Sequence, residues 1–355
     1  MQSKHLIYFC LCALLFSACD NNDDSLPDPE GPVTFENGIF VLNEGNFQQG
    51  NSSVTYVDPA AGVVSHNIFE GVNKVPMGDT ATDLAFFEDH GFIVLNVSNT
   101  IEIVDPFTLE SIATIDSDLH NPRKIAFSER MLYVTNWGEG SDATDDYVAV
   151  FDTQNFELLT KIPVAEGPEN ILSFNGNIFV AHNGGWNFSN KISVITGTEV
   201  NKVIEVGEVP NGIAAADGSL WVSSAGLPDY AGETAGSISK IDLGSLTVEK
   251  TFSFPDAGQH PANMSHYNGD IYFTLRDEVF SFSTSASELP TISAFPIEEV
   301  AYLYGFNIHE GKAYAASASP DFTGNGKLFI YDLAGGNLVG QYDTGINPNG
   351  IFFNN

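Results

Sequence analysis

Three histidines, His120, His182 and His260, are the residues of this 355-residue chain best suited to proton transfer or metal binding. They lie far apart in sequence, with none of the short spacings by which a local motif presents two imidazoles to one metal. Only a fold that brought them together could make them an acid–base set. Asp142, Asp145 and Asp146 offer oxygen ligands to a hard cation, but their spacing is not that of a calcium-binding loop. No strained Gly-x-Ser-x-Gly turn, no phosphate-cradling glycine loop and no helical His pair occurs. The expectation is therefore a protein with no catalytic residues, no metal site and no cofactor.

Aromatic residues carry the stronger signal. Five stretches rich in Gly, Asn and Asp each hold at least one: Phe47 beside Gln48 (44–51), Trp137 (137–142), Trp186 with Phe188 (184–188), Tyr230 (227–232) and Phe322 (319–323). Rings held among amides and carboxylates can stack on a flat ligand and hydrogen-bond its fringe. With His182, at the end of an apolar run just before one of these stretches, they form the expected ligand-binding set: Phe47, Gln48, Trp137, His182, Trp186, Phe188, Tyr230 and Phe322.

The elements that must position them repeat. An apolar triplet with a central ring or branched residue recurs seven times, centred on Phe40, Ile93, Tyr133, Phe179, Trp221, Tyr272 and Tyr314, at spacings of 40 to 53 residues. A tight glycine turn usually precedes it, as at Asn175-Gly176 and Asp217-Gly218. Before the turn comes a segment that often starts with proline (Pro122, Pro168, Pro210, Pro261), which suits the first residue of a strand because no ladder donor is lost there. A third, alternating segment follows and often closes on aspartate (Asp58, Asp105, Asp152, Asp242, Asp332), where a carboxylate caps local amides. A fourth segment completes the unit. Four short strands per unit of this length predict an all-β fold, a seven-bladed β-propeller of four-stranded blades.

The first unit, starting at Gly38, lacks its first strand, and Pro348-Asn349-Gly350-Ile351 supplies that pattern after the seventh unit. The C-terminal strand is therefore expected to pair into the N-terminal blade and close the ring, leaving no open sheet edges. The five aromatic stretches then all connect second to third strands, on one face. The opposite face is expected to carry only tight hairpins.

Acidic residues number 46 against 13 Lys and Arg, a formal charge of −33, which excludes nucleic acid and anionic lipid as partners. At the N-terminus, residues 1–18 combine Lys4 with a short apolar run ending Phe16-Ser17-Ala18, directly before Cys19. This resembles the lipobox of bacterial lipoproteins and implies a signal peptide, with Cys19 as the lipid attachment site and the membrane reached through that anchor alone. Residues 19–36 read as an acidic, proline-bearing tether, and residues 37–355 as the propeller. Cys10 and Cys12 fall in the segment to be removed, so no disulfide framework is expected.

The proline-led strand, glycine turn and closing aspartate resemble YncE-type propellers. The opening from Gly38 to Phe47, with Ser53-Val54-Thr55-Tyr56-Val57-Asp58-Pro59, is similar to surface propeller lipoproteins of Bacteroidota, among them the cobalamin-binding BtuG group. That resemblance implies an outer-membrane protein facing the exterior. It would capture vitamin B12 or another corrinoid and deliver it to a TonB-dependent transporter. The alternatives are a lyase- or lactonase-type enzyme using the same face, which requires His120, His182, His260 or loop acids to converge, and a surface module binding protein or glycan.

Overall fold

A computed structural model describes residues 34–140 and 142–354. The expected signal peptide, with Cys10, Cys12 and Cys19, and the expected tether through Val33 lie outside the described residues. The remainder forms seven four-stranded antiparallel sheets in a ring, a seven-bladed β-propeller. The innermost strands are Pro348–Phe353 for blade 1, then Ala81–Phe87, Pro122–Ser128, Pro168–Phe174, Pro210–Ala216, Pro261–Tyr267 and Tyr302–His309 for blades 2 to 7.

Second strands such as Ile39–Asn43, Met131–Asn136 and Ser219–Ser224 are packed on both faces by neighbouring blades. Their aromatic and β-branched triplets are what a doubly buried strand requires. Outer strands such as Glu199–Glu205 alternate between exposed and covered residues, as expected where one face meets solvent. The ring closes as the repeat predicts: Ile39, Phe40 and Val41 pair with Phe353, Phe352 and Ile351. Phe35, expected in the tether, is buried instead; its ring packs on Tyr56 and its amide donates to the Phe107 carbonyl at 2.7 Å.

Every inner strand carries a register shift near its start. A bulge of this kind leaves one or two residues out of the ladder and re-aims them. Several of these side chains bond to the next blade. Asn349 Nδ2 donates to the Ala81 carbonyl at 2.7 Å, Thr82 Oγ1 to the Arg123 carbonyl at 2.8 Å, Asn170 Nδ2 to the Asn211 carbonyl at 2.9 Å, and Asn211 Nδ2 to the Pro261 carbonyl at 2.7 Å. Asn307, which stays in the ladder opposite Tyr314, donates from Nδ2 to the Ile351 carbonyl at 2.9 Å and links blade 7 back to blade 1. The bulges thus supply polar stitches between sheets that otherwise meet through apolar side chains.

The strand-closing aspartates bond local amides as expected. Asp58 Oδ1 accepts from the amides of Ala60 and Ala61, and Asp105 Oδ1 from those of Phe107 and Thr108. One expectation fails. The face opposite the aromatic loops is not all tight hairpins, because in blade 6 residues 284–294 form a long connection and the outer strand shrinks to Phe295–Pro296. Its apolar residues Ala286 and Leu289 pack against the core shared with blade 5, which draws the chain away from the strand path. A short helix, Ile68–Asn73, with Ile68 and Phe69 buried, lies between blades 1 and 2 and was not foreseen.

Candidate functional site

Eight aromatic side chains are well exposed among the described residues, and seven of them belong to the face of the long loops. Phe107 is the exception. They form two groups. Over blades 7 and 1, the Phe322 ring centroid lies 5.0 Å from that of Tyr302 and 5.9 Å from that of Tyr304, and Asn46 Nδ2 donates to the Phe322 carbonyl, which ties the Phe47 loop to it. Over blades 4 and 5, Phe188 and Tyr230 face each other at 6.2 Å around a recess of about 300 Å³, while Trp186 of the same blade-4 loop lies on the other side, against Gly140 of blade 3. Tyr230 is 82% exposed, and Trp186, although one edge lies over Gly140 of the blade-3 loop, is 77% exposed, so both rings present most of their surface to solvent.

The loops are held in place before any ligand arrives. Asp79 accepts from the amides of Gln48 at 3.1 Å and Gly50 at 2.7 Å, pinning the turn that displays Phe47. Gly184 has φ 98° and packs so closely that a Cβ there would stand 2.5 Å from the Phe188 main chain. Asp321 accepts from Ser319, Thr323 and Gly324, and these bonds hold its carboxyl well below the usual range. Pre-set loops lower the ordering cost of binding.

Of the expected set, Phe47, Gln48, Trp186, Phe188, Tyr230 and Phe322 are displayed on this face. Trp137 is only half exposed: its ring lies 4.3 Å beneath the Arg123 guanidinium, and its Nε1 donates to the Pro168 carbonyl. His182 requires correction. It is fully buried beneath the blade-4 loop, with Nε2 2.8 Å from Ser193 Oγ, and cannot touch a ligand on the surface. Burial pulls its pKa down to about 4. The strand end that suggested exposure lies one layer below it.

Near the ring axis is a polar group that the sequence reading missed. Arg123 of blade 3 makes a two-pronged pair with Glu169 of blade 4, at 2.8 and 3.0 Å. Opposite, Tyr304 donates to Glu44 Oε2 at 2.8 Å and Asn349 Nδ2 to Glu44 Oε1 at 2.9 Å. Arg123 is raised by the charges of Glu169 and Glu44 despite desolvation, so groups from blades 1, 3, 4 and 7 share one field. Burial and Glu44 push the Tyr304 phenol up, so it remains a donor. The available signal was positional: Arg123, Glu169, Tyr304 and Asn349 all follow the first residue of the repeated inner-strand motif, where the bulge falls.

The three histidines do not converge. His120 pairs with Glu139 at 3.7 Å, His260 with the Ala225 carbonyl and Glu233, and His182 is buried. Among the described residues no three His, Cys, Asp or Glu side chains are grouped to hold a metal. Asp146 is pushed up to about 6 by burial and by Asp145, Glu166 and Asp142, against one bond from the Gly167 amide at 3.1 Å.

Solved structures of similar shape confirm the architecture and nothing finer. A functionally unknown protein from Desulfotomaculum acetoxidans has a TM-score of 0.64 at 12% identity, covering 89% of this chain and 98% of that one. Hydrazine synthase of Kuenenia stuttgartiensis gives 0.58 at 17% identity over 74% of this chain and 85% of that one. The dihydro-heme d1 dehydrogenase NirN gives 0.56 at 14% identity, over 92% and 76%. No functionally curated protein matches the chain. A domain of unknown function, DUF5074, matches residues 37–291, and the chain belongs to that family.

Proposed function

We propose that this protein captures a small ligand on its aromatic loop face without transforming it. The ligand we put forward is a corrinoid such as vitamin B12, passed on to a TonB-dependent outer-membrane transporter by a protein that is lipid-anchored at Cys19 and faces the exterior. The observation that carries the reading is the gathering of seven exposed aromatic rings on one face, held by loops that are hydrogen-bonded internally and to their neighbours. A broad apolar ring fringed with amides matches such a surface: rings supply the platform, while Gln48, Asn187 and loop carbonyls supply the fringe contacts. The separate partners of His120, His182 and His260 favour binding over catalysis.

Calorimetric titration of the purified protein with cyanocobalamin and with cobinamide tests this. The expected result is one-to-one binding, weakened at least tenfold by Trp186→Ala or Tyr230→Ala. No heat at millimolar corrinoid, or binding indifferent to both substitutions, overturns it.

A further inference from the structure

The recess between blades 4 and 5 ends at His260, whose pairing with Glu233, in the adjoining trough, has incomplete geometry. His260 Nδ1 lies 2.6 Å from the Ala225 main-chain carbonyl. A carbonyl oxygen only accepts, so Nδ1 carries the proton, and in the neutral ring Nε2 presents a bare lone pair. That lone pair points at Glu233 Oε1, 3.4 Å away, which is also an acceptor. Two acceptors facing each other are favourable only with a donor proton between or beside them. Ring protonation can provide it; so can a ligand.

Both groups are accessible, with side chains 33% and 39% exposed. His260 lines the recess of Phe188 and Tyr230 on one side and, on the other, a trough of about 510 Å³ that includes Glu233, Asp256 and Arg276. The charged groups around the imidazole are Glu233, Asp256, Arg276, Asp277 and Glu278, an excess of carboxylate that repels an anion and attracts a cation or a neutral donor.

We propose that His260 and Glu233 form a two-acceptor clamp for a nitrogen bearing at least two hydrogens, an ammonium or a primary amide, whose flat apolar body rests in the recess against Phe188 and Tyr230. This rests on the loop face being a binding surface and names the group that the face selects. Such a nitrogen reaches both acceptors at once, whereas a carboxylate in the same place meets two lone pairs. A bound ligand that covers these acceptors without donating to them leaves both unpaired, which disfavours the wrong group.

The probes are benzylammonium, benzamide and benzoate, added to the purified protein while the His260 ring nitrogens are followed by NMR and assigned by their loss in His260→Gln. The expected result is a saturable shift of Nε2 with benzylammonium, benzamide or both, none with benzoate, and at least fivefold weaker binding in Glu233→Gln. Which probe acts distinguishes ammonium from amide. A silent Nε2 with both donor probes, or an equal response to benzoate, overturns the clamp. Because these probes need no corrinoid, failure of the corrinoid titration leaves this result separately readable.

Discussion

Replacing Glu169 with leucine strands the Arg123 guanidinium near the ring axis. The pair is two-pronged, with side chains only 21% and 12% exposed. Removing one partner of a buried pair costs about 3–5 kcal/mol, and the residual solvent contact places this one near 3 kcal/mol. For a domain of this size, each kcal/mol corresponds to roughly 2 °C, so Glu169→Leu should lower the melting temperature by about 6 °C. Most of that cost is the unpaired charge, not the lost bond. The double variant Arg123→Met with Glu169→Leu should therefore recover to within about 1 kcal/mol of the parent, the remainder reflecting the lost stacking on Trp137. Thermal and urea unfolding of the two single variants and the double, analysed as a cycle, measures the coupling. A loss below 1 kcal/mol for Glu169→Leu, or a double variant as unstable as that single one, would refute the claim that the polar group at the axis is desolvated.

His182 makes the protein acid-sensitive. Its folded pKa of about 4 lies below the ordinary 6.5, so the unfolded chain takes up the proton first as pH falls. Its contribution to stability is complete above pH 6.5, is lost progressively down to pH 4, and amounts to roughly 3 kcal/mol. Urea midpoints at pH 7 and pH 4.5 should differ by less in His182→Gln than in the parent. Asp79→Ala removes the acceptor for two loop amides and should cost about 1–2 kcal/mol, with faster amide exchange at Gln48 and Gly50. Gly184→Ala forces a side chain into the Phe188 main chain at positive φ. It should cost about 1–3 kcal/mol and weaken ligand binding through Phe188 more than through Phe322, as fluorescence titration of the variant with each ring removed would report.

The blades were legible because a strand buried on both faces restricts composition severely: Ile39-Phe40-Val41 and Leu220-Trp221-Val222 have no amphipathic alternative. Closure was legible from one displaced motif at Pro348. The aromatic loops were legible as loops, since Gly184 and its like mark turns that only glycine enters easily. Depth was not. His182 and Trp137 sit at strand ends, where one residue decides between core and surface, and the bulge that re-aims Arg123 and Tyr304 leaves no mark in hydrophobic periodicity. The long connection of blade 6 was missed because Ala286 and Leu289 resemble turn filler until the neighbouring sheet is in place.

The shared first blade also fixes when folding can finish. Ile39 pairs with Phe353, so the seam joins residues more than three hundred positions apart. Bringing ends so distant together costs about 5 kcal/mol in chain entropy. A chain synthesised through blade 7 but stopped before Pro348 has every other strand yet presents the unpaired edge of Ile39–Asn43 to its surroundings. The Pro348–Phe353 strand is thus a completeness check on the ring. Fragments lacking it remain open to proteases and to other chains, and the seal forms only on molecules that carry the whole repeat.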